Sequence, residues 1–440
     1  SLSPLPNAEF VELYNLSDSA INLSGWNLSD GSSDAVFSGY LLKPHQYVVV
    51  YDLQNEQLFT SFPERIGLPD FPGLNNDSGD TLTIFNEQNQ VMETVAFNDD
   101  SYHDNTKNDG GWTIERIDPD FTCQDQSNWK ASQNTAHGTP GLINSVDGIY
   151  TDITIPFVKN VYAVDSFHLQ VEFSEAIFST IIHSQFLALD NNNYVNDCIS
   201  LNQISGDMYL LEFENEFGDD VYRLKLLDSL NDCAGNSVDV SVQYRFGKPE
   251  PAVAGDVVIN ELLFDPRDGG EDFVELYNCS QKIIDLNKWI IQEAEFDDEN
   301  SVKDEAHLSS GHMISFPGEY MVFARSVSGV SEYYYCPDKK AITALEDLPD
   351  FNSDEGTLVL RDADGNRMDV LHYSDDMHFY LLNSPNGVSL ERLNGYSGDP
   401  ENAQWHSAAS TVGFATPGYK NSHWVGENPE SGKIELPNEV

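Results

Sequence analysis

The hexapeptide FVELYN occurs twice in this chain, as residues 10–15 and as residues 273–278. A tryptophan follows each copy at the same distance, as Trp26 and Trp289. Later matches keep the same order along the chain: residues 68–71 with 348–351, 111–117 with 387–393, Trp129 with Trp405, and 139–141 with 416–418. Two collinear sets of matches indicate two copies of one domain.

The two copies differ in two places. About ten additional residues in copy two fall within the acidic stretch 293–305. Because surface loops tolerate insertions, we expect a solvated hairpin there. Copy two also opens with an apolar strand, residues 257–261, for which copy one has no counterpart after Ser1. We expect the first strand of copy one to lie upstream of residue 1 or to have been removed by processing or excision.

Short segments rich in β-branched and aromatic residues recur throughout both copies, between clusters of Asn, Asp, Gly and Pro. Residues 81–97 and 357–373 each resemble two strands around a tight turn. No amphipathic helix of about a dozen residues stands out. The sequence therefore predicts an all-β protein in which each copy is a β-sandwich.

Between the copies lies a different segment of alternating short strands, which fits a small immunoglobulin-like sandwich. Residues 248–254 contain two prolines and are typical of a linker. The prediction is three β-sandwich domains in series. Their predicted bounds are 1–146 for copy one, 147–250 for the middle domain and 251–424 for copy two, followed by a polar tail at 425–440.

The charge of the chain excludes two classes of partner. Lys and Arg number 22 against 73 Asp and Glu, which gives a net charge of −51. Nucleic acid and anionic membrane surfaces both require clustered cations, so neither is expected as a partner. No apolar run approaches the roughly 20 residues of a membrane-spanning helix, so we expect no membrane insertion.

The five cysteines are scattered and include no CxxC pair, which argues against a thiolate zinc site. Cys198 and Cys233 are the two cysteines of the middle segment, and the residues around them predict that both lie at loop-like ends of strands. We predict a disulfide between them, which would close a loop of about 35 residues and suit an exported protein.

The repeated motifs resemble the lamin tail domain in its bacterial form. The resemblance rests on VINEL, FVELYN, the following tryptophan, the GVSLER strand and the final W, TPG and NS residues. It implies an immunoglobulin-like sandwich for each copy. The middle segment, with FSE and DCAGN, is similar to bacterial immunoglobulin-like domains of surface-layer and secreted proteins. The whole arrangement resembles exported proteins of Bacteroidetes-type bacteria.

Catalytic motifs are absent from the sequence: it has no G-x-S-x-G, H-E-x-x-H, phosphate-binding glycine loop or G-x-G-x-x-G. Close pairs of acids carry no weight among 73 carboxylates. We therefore expect no enzymatic activity and no cofactor, apart from weak binding of Ca²⁺.

An acidic pair with a nearby histidine occurs in each copy and offers two explanations. One is a repeated divalent-cation site, and the other is a turn capped by Asp beside a packed imidazole. We favour the turn. The candidate metal ligands are Asp99, Asp100 and His103 in copy one and Asp375, Asp376 and His378 in copy two.

Two further features invite a binding interpretation. Residues 362–366 (DADGN) resemble the start of a calcium loop but lack the downstream glutamate, so a hairpin turn is the simpler explanation. Tyr333, Tyr334 and Tyr335 could stack on a sugar, although a strand with alternating core and solvent faces explains them more simply.

Three hypotheses for function follow. The first is a non-catalytic exported or cell-surface protein that acts as a scaffold, spacer or adhesion module, with protein or glycan partners. The second is a glycan- or protein-binding component of an outer-membrane complex. The third is the accessory region of a larger secreted hydrolase.

Overall fold

The computed structural model of the chain describes residues 5–75, 79–121, 123, 126–296, 298–393 and 404–423. It divides into two compact units. Unit 1 comprises residues 1–155 and 233–236, and unit 2 comprises residues 156–232 and 237–440. The predicted bounds of the three domains stay predictions, and the predicted tail at 425–440 lies outside the described residues.

The fold is all-β, as predicted. In the described ranges, the one α-helix is α1, a single turn at Val327–Ser331. Short 3₁₀ turns connect several strands, at Leu53–Leu58, Asp99–Tyr102, Gln126–Asn128, His183–Gln185, Lys339–Ala341, Asp375–Met377 and Ser410–Val412. Within those same ranges, no helix is long and apolar enough to cross a membrane.

Unit 1 is built from short strands that form two main sheets and two strand pairs. The sheet β1-β6-β7 faces the sheet β4-β3-β8-β9, and the pairs are β2-β5 and β10-β11. The strands are β1 (Phe10–Tyr14), β2 (Ile21–Asn22), β3 (Asn27–Ser29), β4 (Asp34–Val36), β5 (Leu41–Leu42), β6 (Tyr47–Asp52), β7 (Arg65–Leu68), β8 (Asp80–Phe85), β9 (Val91–Phe97), β10 (Ile114–Arg116) and β11 (Trp129–Ala131).

Strand β6 is central to unit 1 because both of its faces are buried. Val48 and Val50 join the main apolar core with Leu28 of β3. The alternate residues Val49 and Tyr51 pack with a second cluster on the opposite face. Alternation along a strand sends successive side chains to opposite faces, so this apolar run serves two cores.

The middle segment in unit 2 forms one continuous sheet of order β12-β13-β16-β15-β14-β17-β18 around its own apolar core. All neighbouring strands in this sheet are antiparallel. The strands are β12 (Val158–Ala163), β13 (His168–Phe173), β14 (Phe186–Leu189), β15 (Val195–Gln203), β16 (Met208–Phe213), β17 (Tyr222–Leu226) and β18 (Gln243–Phe246).

Copy two in unit 2 packs a sheet of order β26-β25-β20-β19-β29-β30 against a sheet of order β23-β22-β27-β28. A small pair, β21-β24, completes it. The strands are β19 (Val257–Leu263), β20 (Phe273–Asn278), β21 (Ile284–Asp285), β22 (Ile290–Glu295), β23 (Asp298–His307), β24 (Ile314–Ser315), β25 (Tyr320–Ala324), β26 (Ile342–Ala344), β27 (Glu355–Arg361), β28 (Arg367–Ser374), β29 (Leu390–Arg392) and β30 (Trp405–Ser407).

The predicted hairpins are confirmed. Strands β8 and β9 pair antiparallel, as do β27 and β28, and the acidic insertion of copy two forms the β22-β23 hairpin. In the β27-β28 turn, the Asp362 carboxylate accepts from the backbone N–H groups of Asp364 (3.0 Å) and Asn366 (2.8 Å). Asn86 makes the equivalent turn in copy one, so residues 362–366 form a hairpin turn, as favoured.

The predicted disulfide between Cys198 and Cys233 is wrong. Cys233 is bonded to Cys123, with their Cα atoms 5.6 Å apart. Cys198 lies inside β15 rather than at a loop end, and its side chain points into the core of the middle sheet. There its thiol donates to the Ser200 carbonyl at 3.2 Å, and burial raises its pKa to about 11. A thiol fixed on an inward strand position cannot reach a distant turn.

The strand interpretation of the tyrosine run is also wrong. These tyrosines follow α1 and lie in a turn rather than in a strand. Tyr334 is buried and donates to the Gly387 carbonyl at 3.1 Å, whereas Tyr335 is exposed. The run therefore splits between core and solvent at the end of a helical turn.

Candidate functional site

Three glutamates lie side by side in the larger sheet of copy two. Glu275 is on β20, Glu261 on β19 and Glu391 on β29, and Glu261 pairs in register with both of the others. All three side chains are fully buried, with 0% of their surface exposed. Buried carboxylates are rare because ionised groups lose their hydration, so this cluster needs compensating contacts.

The compensating hydrogen bonds come from the TPG segment and from the neighbouring strands. Glu261 accepts from the Ser389 hydroxyl and from the Thr416 backbone N–H at 2.8 Å. Glu275 accepts from the Asn260 amide and the Gly418 N–H, both at 2.6 Å. Glu391 accepts from the Ser422 backbone and hydroxyl. These contacts fix the segment after β30 against the sheet.

The contacts of one hydroxyl in this network require that a carboxyl group be protonated. The Thr416 Oγ1 atom lies 3.0 Å from a Glu261 oxygen and 2.9 Å from a Glu391 oxygen. A hydroxyl has one proton to donate, so one of these two contacts needs a proton on a carboxyl group. Burial, together with the charge of Glu391, raises the pKa of Glu261 to about 8. Burial likewise raises the pKa of Glu275 well above its usual range.

A buried ion pair adjoins the cluster and holds the backbone of β19. Arg392 and Asp369 pair with both side chains fully buried. The Arg392 Nε–H donates to the Ile259 carbonyl at 2.7 Å, and Asp369 accepts from the Ile259 N–H at 2.8 Å. Burial raises the pKa of Asp369 to about 6, outweighing the attraction of Arg392.

Copy one preserves part of this arrangement. Glu12 accepts from the Gly141 N–H, and burial raises its pKa to about 7. Glu115 accepts from the Thr139 hydroxyl at 2.7 Å and from the Ser145 backbone N–H at 2.7 Å. In the part of unit 1 that the structure describes, no strand takes the place of β19, so the third glutamate has no counterpart there.

The acidic pairs lie in 3₁₀ turns at corresponding places, as the favoured interpretation predicted, but the predicted capping by Asp is wrong. Asn98 caps the first turn and Ser374 precedes the second. His103 is exposed with a left-handed backbone (φ 50°). His378 is buried, lies 3.0 Å from the Ser407 hydroxyl and stacks on Phe264. The two histidines therefore occupy different environments, and the two turns do not repeat each other in detail.

The candidate metal ligands are not gathered in either copy. Among residues with described positions, the ligand atoms of Asp99, Asp100 and His103 do not all approach within 4.8 Å, and neither do those of Asp375, Asp376 and His378. Burial also lowers the pKa of His378 to about 4. The imidazole of His378 packs as part of the core, because it lies between the Ser407 hydroxyl and the Phe264 ring.

The Lamin Tail Domain family matches residues 2–99 and 250–375, which together are half of the chain. The chain belongs to the lamin tail domain family. Copy one and copy two are therefore its first and second lamin tail domains. None of the curated protein sequences matches the chain.

Solved structures show distant similarity. The N-terminal part of the bacterial S-layer protein SbsC is 16% identical, with a TM-score of 0.21, over 37% of this chain and 44% of that one. A DUF4876 family protein from Bacteroides thetaiotaomicron VPI-5482 is 10% identical, with a TM-score of 0.22, over 58% of this chain and 92% of that one. The chain spans less than half of the S-layer chains that it matches.

An open cavity of about 350 Å³ lies beside the LPDF motif of the second lamin tail domain. Asp272 lines it and accepts from the Phe351 N–H at 3.0 Å, and burial raises the pKa of this carboxyl to about 6. Arg325 pairs with Asp350 across the rim at 2.7 Å. These polar groups hold the LPDF loop in place.

Sequence reasoning missed the buried glutamates. The Glu-Arg dipeptides at 115–116 and 391–392 take part in two different kinds of contact. The arginines pair with Glu93 and Asp369 on other strands, while the adjacent glutamates face the carboxylate cluster. The available signal was a glutamate inside each apolar strand of VINEL and FVELYN.

Proposed function

We propose that this chain is a non-catalytic scaffold or spacer of an exported or cell-surface protein. The observation that carries the proposal is that its buried glutamates hold neighbouring segments of the chain in place. Glu261, Glu275 and Glu391 are sealed within a sheet and hydrogen-bonded to the TPG and NS segments. A catalytic carboxylate must reach a substrate, whereas these three hold a chain segment onto the domain.

The disulfide supports the exported location. Cys123 and Cys233 are linked across 110 residues of sequence. Structural disulfides persist in oxidising compartments and are rare in the cytosol of mesophiles. A scaffold outside the cell would gain stability from this link.

The joint between the middle sheet and the second lamin tail domain supports a spacing role. His312 stacks on Tyr162, with ring centroids 3.5 Å apart, and its carbonyl accepts from the Asn160 amide at 3.0 Å. Arg245 pairs with Glu319 at 2.5 Å and lies over the Phe316 ring. A joint with specific contacts keeps neighbouring domains in one orientation, as a spacer requires.

Calorimetry of the 440-residue chain tests the joint. With the joint intact, the middle sheet and the second lamin tail domain are expected to unfold in one coupled transition. The double variant R245A/H312A should split that transition into two. The matched control is K159A, which removes an exposed ion pair with Glu172 on the middle sheet and should leave the transition single. A wild-type chain in which the two parts already melt independently contradicts the spacing role.

A second experiment separates the proposal from its alternatives. The purified chain is assayed against phosphoesters, glycosides and peptides, and then on a glycan array. We expect no turnover and no saturable glycan binding. Turnover lost in a single-residue variant would establish an enzyme. Saturable glycan binding would instead favour the binding component of an outer-membrane complex.

A further inference from the structure

The open cavity of the second lamin tail domain lies away from the joint with the middle sheet. Its volume is about 350 Å³, and it lies where the β19–β20 connection meets the LPDF motif and the residue that follows β25. Phe316 and Glu319, which contact Arg245 of the middle sheet, precede β25, whereas Arg325 follows it. The cavity and the joint are thus at opposite ends of one strand.

Buried side chains of the core form the apolar walls of this cavity. Phe264 and Leu348 are each 1% exposed and Phe351 is 4% exposed, and Pro266 and Pro349 also line the cavity. Close-packed side chains keep their positions, so the cavity exists before a ligand arrives. Its volume is at the lower end of the range for small-ligand sites and suits one long side chain.

One carboxylate in the cavity has no cationic partner. Asp272 lines the cavity, and one of its oxygens accepts from the Phe351 N–H at 3.0 Å. Among the described residues it forms no ion pair, because the nearby Arg325 pairs with Asp350 at 2.7 Å instead. Burial raises the pKa of Asp272 to about 6, which shows that its ionised form lacks compensation.

The other charged groups that line the cavity are already hydrogen-bonded to the protein. Nε and Nη2 of Arg325 donate to the Leu348 carbonyl at 3.0 and 2.9 Å. Glu271 accepts from the backbone N–H of Ser326 at 2.6 Å and from its hydroxyl at 2.8 Å. Asp272 is therefore the carboxylate that a ligand can use, and a positive charge beside it would offset the cost of its burial.

The geometry at Asp272 favours an ammonium group over a guanidinium group. A guanidinium binds a carboxylate best through both oxygens, but one oxygen of Asp272 is occupied by the Phe351 N–H. An ammonium is a compact charge that needs one oxygen. The methylene stem of a lysine can also pack on apolar walls while its charge contacts a polar group. The net charge of −51 favours a basic protein as the source of that lysine.

We propose that the cavity beside the LPDF motif binds the side chain of a lysine from a basic segment of a partner protein. The ammonium group contacts the free oxygen of Asp272, and the stem packs against Phe264 and Phe351. The site is separate from the spacing role, since the domain can bind a lysine whether or not its joint is rigid. Occupation of the cavity would attach a second protein to the scaffold.

The first lamin tail domain has different residues at the corresponding positions. Glu9 stands at the position of Asp272 and is exposed. Asp52 stands at the position of Arg325 and accepts from the Gln54 N–H at 2.9 Å, where it caps a 3₁₀ turn. We expect no lysine site there. Glu9 therefore offers a matched control for the loss of an acid at the same place in the repeat.

NMR titration by saturation transfer, with N-acetyl-lysine methylamide as the probe and the full 440-residue chain, tests the site. We expect saturable binding with a Kd of about 1 mM, as suits a single side chain. The norleucine analogue lacks the ammonium group, and the arginine analogue carries a guanidinium. Both should bind about tenfold more weakly or worse. Butylamine lacks the two amide groups that lie at the mouth of the cavity and should also bind more weakly than the lysine probe.

Three variants locate the site. D272N removes the charge and keeps an oxygen that can accept from the Phe351 N–H, and it should weaken binding of the lysine probe about tenfold or more. S353W retains Asp272 but fills the cavity from an exposed position on its lining, and it should abolish binding. E9Q should bind as the wild type does. Melting temperatures show whether each variant is folded, and S353W decides if D272N is not.

Four results would overturn the proposal. Equal binding of the norleucine analogue would show that the ammonium group is not recognised. Unchanged affinity in D272N or in S353W would place the probe elsewhere. An equal loss of affinity in E9Q and D272N would indicate general attraction to an acidic chain. Tighter binding of butylamine than of the lysine probe would make the ligand a free amine rather than a partner protein.

Discussion

The buried glutamate Glu261 should make the second lamin tail domain less stable as the pH rises. Its pKa is about 8 in the folded chain, against an ordinary value of 4.5. Between these values the folded state holds a proton that the unfolded state has released. The contribution of Glu261 to the free energy of unfolding is therefore fully present below about pH 4.5. It falls as the pH rises towards 8, by about 1.4 kcal/mol per pH unit at most.

The window from pH 6.5 to 8 avoids the opposing titration of His378. Below pH 6.5, His378 acts in the opposite direction, because its pKa is lowered to about 4. Across the window, partial titration of a group with a pKa near 8 amounts to about 1.5 kcal/mol. The variant E261Q removes the titrating group and retains an oxygen that can accept from Thr416. Its stability should be flatter with pH than that of the wild type by about this amount.

Native-state hydrogen exchange of the β19 and β20 amides, corrected for the intrinsic exchange rate at each pH, measures this stability locally. The matched control is E355Q, because Glu355 is exposed at the start of β27 and shares the general acidity of the chain. We expect E355Q to follow the wild type. Equal pH slopes for E261Q and the wild type would refute the claim that Glu261 holds a proton at neutral pH.

Three other perturbations have expected outcomes. Non-reducing peptide mapping should recover a Cys123–Cys233 peptide pair and a free Cys198. The variant C233S should lower the free energy of unfolding of unit 1 by up to about 4–5 kcal/mol, because the disulfide closes a loop of 110 residues, whereas C198A should keep the disulfide. Replacing His378 with Leu should remove about 2 kcal/mol of the stability that the wild type loses between pH 6.5 and 4, as measured by urea unfolding. The reason is that burial opposes protonation of the imidazole, while the remaining solvent screens part of the effect. An equal loss of stability in the variant between these pH values would contradict this. Salt should raise the melting temperature progressively because the net charge is −51, and D375N/D376N should not alter the calcium response; a micromolar calcium shift lost in that variant would instead establish a specific site.

The repeat and the hairpins could be predicted because they are local patterns. Residues 81–97 and 357–373 form the expected hairpins, and the acidic insertion forms the expected β22-β23 pair. Turn residues and alternation decide these elements within about twenty residues of sequence.

The disulfide and the carboxylate cluster could not be predicted because they depend on long-range register. The sequence around Cys198 predicts a loop end, whereas the residue lies within β15, and one residue of strand register decides whether its side chain faces the core. Glu261 and Glu391 become neighbours across 130 residues only when β19 joins β29. A glutamate in an apolar strand is ordinarily taken as solvent-facing, and only the neighbouring strands show otherwise.

The duplicated hexapeptide sets up a competition while the chain folds. In the unfolded chain, β19 meets two partner strands of identical sequence, β1 and β20. The loop to β20 has about nine residues, and the loop to β1 has about 240. Because closure entropy grows with the logarithm of loop length, the nearer pairing is favoured by about 3 kcal/mol, or roughly a hundredfold. The length of the middle segment thus disfavours incorrect pairing of β19 with β1 during folding. Shortening this segment should increase the fraction of misfolded chains.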